Sequence, residues 1–226
     1  MFDNNFNDFK RAIFIIHNID KELLRSCLDI EDILHVTLTG ITAGYFLGFS
    51  RAFILLYEED NKVLSGKKGI GPFDIEEANL IWQKIGDGIP IEKLFENGKR
   101  AELKNSRFNL SVEKIKINVE ELPEEDYIKK VIKEKRIQVL YNVDKNNVKL
   151  PEQIKFLLQP SDIVISPILA ESSLIGIIFA DNAFHRKPIT EETLLFLSLI
   201  SIHTALSLEI AIKYNEIKRI QKELLE

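Results

Sequence analysis

The 226-residue chain is 45% hydrophobic and carries a formal charge of -5, enough apolar material for a sizeable core and too much for a disordered chain. Its acidic balance, with pI near 5.6, leaves no clustered Lys and Arg field to gather nucleic acid or an anionic membrane surface. A lone cysteine, Cys27, excludes an intrachain disulfide and a cysteine-rich metal site, in keeping with a reducing compartment.

The opening MFDNNFNDFK lacks the basic n-region and apolar run of a secretory signal, and the expected location is the cytoplasm. From Phe2 onward, Phe6, Phe9, Ile13, Ile16, Asp20, Leu23 and Cys27 follow one another at alternating four- and three-residue spacing. That is a heptad seam broken by Asp20, and flanking Ile15, Ile19 and Leu24 widen the stripe, which predicts a helix packed on both a partner and its own domain. Asp29 is placed to cap a second helix carrying Ile33, Leu34, Leu38 and Ile41.

RAFILLYE at 51–58 has the composition of a central strand and turns through Glu59, Asp60, Asn61 and Lys62 into a second strand at 63–68. Asp74, followed by Glu76 and Glu77, opens a helix with Ile75, Ala78, Ile81, Trp82 and Ile85. Residues 86–130 read as an irregular excursion, with a helix start at Asp126 and a helix over 127–134. A strand over 136–143 and a short helix at 151–158 lead to the apolar strands 163–168 and 174–180, a hairpin in which Gly176 predicts close backbone approach.

Thr190 begins the last helix, with Glu191 and Glu192 in its first turn. Its apolar run over 194–208 is interrupted by Ser198, Ser201, His203 and Thr204 and is expected to fall short of a membrane span. A seam of Phe196, Leu199, His203, Leu206, Ile210, Lys213, Ile217, Ile220 and Leu224 again steps by three and four. Polar His203 and Lys213 either set register and oligomer state or simply meet solvent. Two hairpins separated by a helical crossover and bracketed by helices predict an α+β fold.

Several blocks, in order, carry a resemblance. They are Leu38-Thr39-Gly40-Ile41-Thr42-Ala43-Gly44 with 47–53, then Gly69-Ile70-Gly71-Pro72 with Glu76, Glu77 and Trp82, then 136–144 ending at Asp144. The fullest is Val164-Ile165-Ser166-Pro167-Ile168 with 174–182 and Pro188-Ile189-Thr190. Together they resemble a GAF domain of bacterial sensor proteins over roughly 23–212. The resemblance implies a PAS-like, six-stranded, mainly antiparallel sheet flanked by helices, with the terminal helices side by side on one face and the crossover helices on the other. It implies three parts: an N-terminal dimerisation helix (1–22), the domain (23–208) and a C-terminal signalling helix (209–226). In such proteins a small ligand or cellular cue is sensed, and the signal passes through paired helices to an output such as the histidine kinase of a two-component system. A homodimer is expected, paired through Phe6, Phe9, Ile13, Ile16, Leu206, Ile210, Ile217 and Ile220. The chain departs from bilin-binding relatives in lacking a cysteine near the central helix, and from cyclic-nucleotide binders in lacking their set of polar residues.

Phe53, Tyr57, Trp82 and Tyr141 are candidates for lining a ligand chamber above the sheet, with Asp181 at a strand end; core packing explains the aromatics equally well, and turn chemistry explains Asp181-Asn182. Cofactor and ligand identity stay open. No catalytic residue is assigned. His17, His35, His185 and His203 have no metal-ligand spacing, so no metal is expected. Gly66, Gly69 and Gly71 form neither a GxGxxG nor a Walker loop and read as turn glycines. Cys27 reads as a core or interface residue, with a redox thiol as the alternative. Two other functions remain beside the sensor: a ligand-free dimerisation module, and a small redox enzyme on the same fold, whose methionine-sulfoxide-reducing relatives depend on several cysteines where this chain has one.

Overall fold

Locally encoded helix starts set the frame. The Asp29 carboxylate accepts the Asp32 N–H at 3.0 Å and the Thr190 hydroxyl accepts the Thr193 N–H at 3.2 Å, each satisfying a donor that a first helical turn leaves free. The computed structural model describes residues 2–26, 28–42, 47–85, 105–144, 147–159, 161–171, 173–184 and 188–225, the side chains of 2–12, 15 and 81–85 aside. Two helices, α1 (Phe2–Arg25) and α2 (Ile30–Thr42), precede the hairpin β1 (Arg51–Glu58) and β2 (Val63–Ile70). Then come α3 (Ile75–Ile85), α4 (Arg107–Val112), β3 (Lys116–Asn118), α5 (Tyr127–Glu134), β4 (Gln138–Val143) and α6 (Glu152–Leu157). The hairpin β5 (Ser161–Ala170) and β6 (Ser173–Asp181) leads into α7 (Glu191–Glu223).

The strands form one six-stranded sheet in the order β3-β2-β1-β6-β5-β4, and each neighbouring pair is antiparallel. Both faces of its centre are covered, which is why β1, β5 and β6 read as near-continuous apolar runs. Ala52, Ile54, Leu56, Val164, Ile168, Ile178 and Ala180 point to one face, joined by Ile19, Leu23, the α2 core residues and Leu197, Ile200, Ala205 and Leu208 of α7. Phe53, Leu55, Ile163, Ile165, Ile177 and Phe179 point to the other, covered by α4, α5 and α6 through Phe108, Val112, Ile128, Val131 and Ile154. The terminal helices thus share one face, as expected. Gly176 gives β1 the close backbone approach expected there, because a Cβ would lie 2.4 Å from the Leu55 carbonyl oxygen.

Three expectations change. The described part of the excursion contains α4 and β3, ahead of α5, which starts where expected. Gly66 and Gly69 lie inside β2 rather than in a turn. A Cβ on Gly66 would stand 1.8 Å from the Val112 carbonyl oxygen, so that position admits α4 against the sheet only as glycine. Finally, α7 contains a window long and apolar enough to cross a membrane by length and composition, and 44% of that window is buried inside the fold. Packing against β5, β6 and α2 accounts for the buried part of that apolarity.

Candidate functional site

The face covered by α4, α5 and α6 is built on a cross-strand ion pair. Arg51 and Asp181 are opposite one another in the β1–β6 register, the first residue of one strand against the last of the other. Strand alternation puts both side chains on the same face as Phe53 and Phe179. Arg51 Nε donates to Asp181 Oδ2 at 2.8 Å and Nη2 lies 2.7 Å from the same oxygen, with Arg51 1% exposed and Asp181 4% exposed. The other carboxylate oxygen accepts the Ala183 N–H at 3.0 Å, so Asp181 serves the following turn as well.

Phe108 and Phe184 flank the guanidinium, their ring centroids 5.1 and 5.4 Å from its carbon, close enough for cation–π attraction in a desolvated setting. Phe184 is held there by its N–H, which donates to Ser50 Oγ at 3.0 Å. The Arg51 Nη1 donor reaches the Phe73 carbonyl at 3.4 Å. A guanidinium has five N–H donors, and these contacts leave part of that capacity unspent in a buried place. Beneath it, Phe53 stacks on Phe179 at 4.8 Å and meets Phe108 edge-on at 6.0 Å. Asn109 fastens α4 to β2 by accepting the Gly69 N–H at 2.9 Å while its amide donates to Glu113 at 2.8 Å.

The predicted site residues divide. Phe53 and Asp181 are brought together here, and Tyr57 packs half-buried against the same apolar cluster. Tyr141 does not join them: it is 61% exposed. The register of β4 against β5 shifts between Leu140 and Val143, where Asn142 takes a positive φ of 50°, and Tyr141 and Asn142 both turn to solvent. The Trp82 side chain, Cys27 and His185 lie outside the described residues. Arg51, Phe108 and Asn109 were not singled out as site residues. A lone arginine heading an apolar strand, opposite a lone aspartate ending another, was the available signal. Among the described residues no group of three or more His, Cys, Asp or Glu is placed to hold a metal ion.

On the opposite face, the first-helix seam splits. Ile16 packs against the core, Ile13 is exposed, and the side chains of Phe6 and Phe9 lie outside the described residues. Its polar break, Asp20, hydrogen-bonds Nδ1 of His203, one of the two polar breaks of the other seam. Farther along α7, Leu206, Ile210, Ile217 and Ile220 are exposed apolar residues, and Lys213 pairs with Glu209 at 2.6 Å in solvent.

No family model matches the sequence, and no curated protein matches it. Solved structures do. The GAF domain from an Acinetobacter phosphoenolpyruvate-protein phosphotransferase superposes with a TM-score of 0.58 at 14% identity, covering 90% of this chain and 94% of that one. The chain has the GAF fold. A second GAF domain, that of A. aeolicus nlh2 in an inactive state, matches at TM-score 0.56 and 16% identity over 90% of this chain and 98% of the other. The same fold carries an enzyme: free methionine-R-sulfoxide reductase from Neisseria meningitidis, in complex with its substrate, matches at TM-score 0.58 and 11% identity over 90% and 91% of the two chains. At such identities the likeness establishes the GAF architecture, and residue roles come from this chain's own geometry.

Proposed function

We propose that this chain is a cytoplasmic sensory or regulatory GAF domain, without catalysis of its own, that acts as a homodimer and relays a ligand or cellular cue through its terminal helices to an output domain such as a histidine kinase. The observation that carries the reading is the course of α7. Its inner stripe is buried on the sheet as far as Ala211, and beyond that point the helix continues to Glu223 with Ile217 and Ile220 exposed. Isolated helices need packing to persist in water, and a two-copy bundle hides such a stripe. Signalling and regulatory proteins among the solved GAF neighbours, including a methyl-accepting chemotaxis protein, support the same reading. The single cysteine weighs against a redox enzyme that needs a second thiol to resolve a disulfide.

Sedimentation velocity over a wide concentration range tests the dimer. The wild type is expected to sediment as a dimer, and Ile217→Glu with Ile220→Glu as a monomer with unchanged circular dichroism apart from the end of α7. A wild-type monomer at every concentration sinks the paired-helix relay.

A second reading has its own support. Phe53, Phe179 and Phe108 pack on one another where the candidate chamber was expected, which favours a filled, ligand-free dimerisation module. Thermal-shift screening against a metabolite library separates the two, since a ligand that binds only the folded state raises the melting temperature.

A further inference from the structure

A single turn of α7 is fastened to three other elements. Ser201 Oγ lies 2.9 Å from Ser166 Oγ of β5 and also donates to the Leu197 carbonyl at 2.8 Å. Thr204 Oγ1 lies 2.9 Å from Thr37 Oγ1 of α2. His203, between them, hydrogen-bonds Asp20 of α1 through Nδ1. The two hydroxyl pairs are buried and do not titrate near neutrality. The Asp20–His203 pair is different on both counts, with side chains about a third exposed at 33% and 34% and a titratable imidazole.

Asp20 is also the one polar break in the α1 seam, and one of two in the α7 seam is His203. They meet within one chain, so these two seams face each other at this level. We propose that the Asp20–His203 contact makes the docking of α1 on α7 depend on pH, firm while the imidazole is protonated and looser when it is neutral. Protonation turns a hydrogen bond from a neutral ring to a carboxylate into an ion pair of opposite charges. Loss of that charge on raising the pH weakens the hold of α1. The Ser201 and Thr204 bonds keep α7 seated meanwhile, so the change is confined to α1. The inference concerns contacts inside one chain and does not rest on the dimer.

Next to Asp20 on α1 stand exposed His17 and Lys21 and half-buried Glu22, the last paired with Arg25 at 2.6 Å. Of the elements packed against α7, α2 carries the buried His35 and Thr37, and β5 carries the buried Ser166. On α7 the next charged residue is Glu209, paired with Lys213 at 2.6 Å. His17 and His35 are imidazoles as well, so the test must isolate His203.

Hydrogen exchange of the α1 amides, corrected for the intrinsic pH dependence of exchange, reads the docking directly. In the full wild-type chain, protection over residues 16–25 is expected to fall by about twofold to fivefold between about pH 5.5 and 8, the scale of a partly exposed ion pair. His203→Gln, which keeps a neutral hydrogen-bonding side chain, and Asp20→Asn should each flatten that profile. A flat wild-type profile overturns the proposal, as does a wild-type slope retained in both variants. If a variant fails to fold, imidazole NMR of the wild type replaces it. The α1 amide shifts must then titrate with the His203 ring midpoint, and a separate midpoint overturns the proposal equally.

Discussion

The two faces of the sheet hold their helices by different chemistry. Under α4 the seat is steric: Gly66 leaves no room for a side chain, Phe108 closes on Phe53 and Arg51, and Asn109 locks the helix to the Gly69 backbone. Under α1, α2 and α7 the apolar packing is supplemented by hydroxyl pairs and one histidine–carboxylate contact, all converging on Ser201 to Thr204. Close-packed surfaces of the first kind tolerate little displacement before contacts are lost. Polar pairs of the second kind accept a changed protonation state or a rotated hydroxyl while the apolar layer beneath stays closed. The difference suits one face to keeping a shape and the other to passing on a small change.

The comparison breaks if the steric face proves soft. Its largest test is the buried ion pair. Arg51→Met leaves Asp181 buried with a single backbone donor, and is expected to cost about 3 to 5 kcal/mol of folding stability in urea titration. Adding Asp181→Leu removes the stranded charge and should restore most of that loss, because a well-packed apolar pair replaces a buried ion pair at little cost. Equal stability of the single and double variants would show that the pair is not held in a low-dielectric site. A smaller effect is expected from Gly66→Ala, about 1 to 3 kcal/mol, from the collision with the Val112 carbonyl. A wild-type urea midpoint for that variant would mean that α4 can lift from β2 freely, and the contrast between the faces would fail.

Much of this architecture was legible because it is locally encoded. The caps at Asp29, Asp126 and Thr190 and the apolar runs of β1, β5 and β6 act within a few residues of themselves, and each appears where spacing and composition put it. Less local features escaped. Helix α4 and strand β3 span six and three residues, too short to carry a periodic signal, and they are held by contacts with β2 that no local pattern reveals. The Tyr141 expectation failed at a bulge, where one positive φ defeats simple alternation. At the candidate site, Phe53 and Asp181 were within reach because both sit on central strands. Phe108 was hidden in the segment read as irregular. The meeting of Asp20 with His203 joins positions 183 residues apart, and seam spacing alone does not say which residue of a facing helix each one meets.

The smallest effect tests whether burial or hydrogen bonding governs the steric face at its margin. Asp126 caps α5, its carboxylate accepting the Ile128 N–H at 2.7 Å. Burial nevertheless pushes its carboxyl above the ordinary value, outweighing the backbone N–H groups of Ile128 and Lys129 that favour the ionised form. A group raised in the folded state contributes most below its unfolded value, and that contribution is lost as pH rises through the folded one. Above that folded value the wild type carries an ionised, partly desolvated cap. Asp126→Asn keeps the accepting oxygen without the charge, so at pH 7 it should match or exceed wild-type stability, by no more than about 0.5 kcal/mol. Lowering the pH toward the acid range should erase any advantage, since the wild-type carboxyl then gains its proton too. Asp126→Ala, which removes the acceptor, should lose about 1 kcal/mol at either pH. Urea midpoints that place the asparagine variant beside the alanine variant at pH 7 would show that the charge itself holds α5 in place, and that this face, like its opposite, depends on electrostatic contacts open to titration.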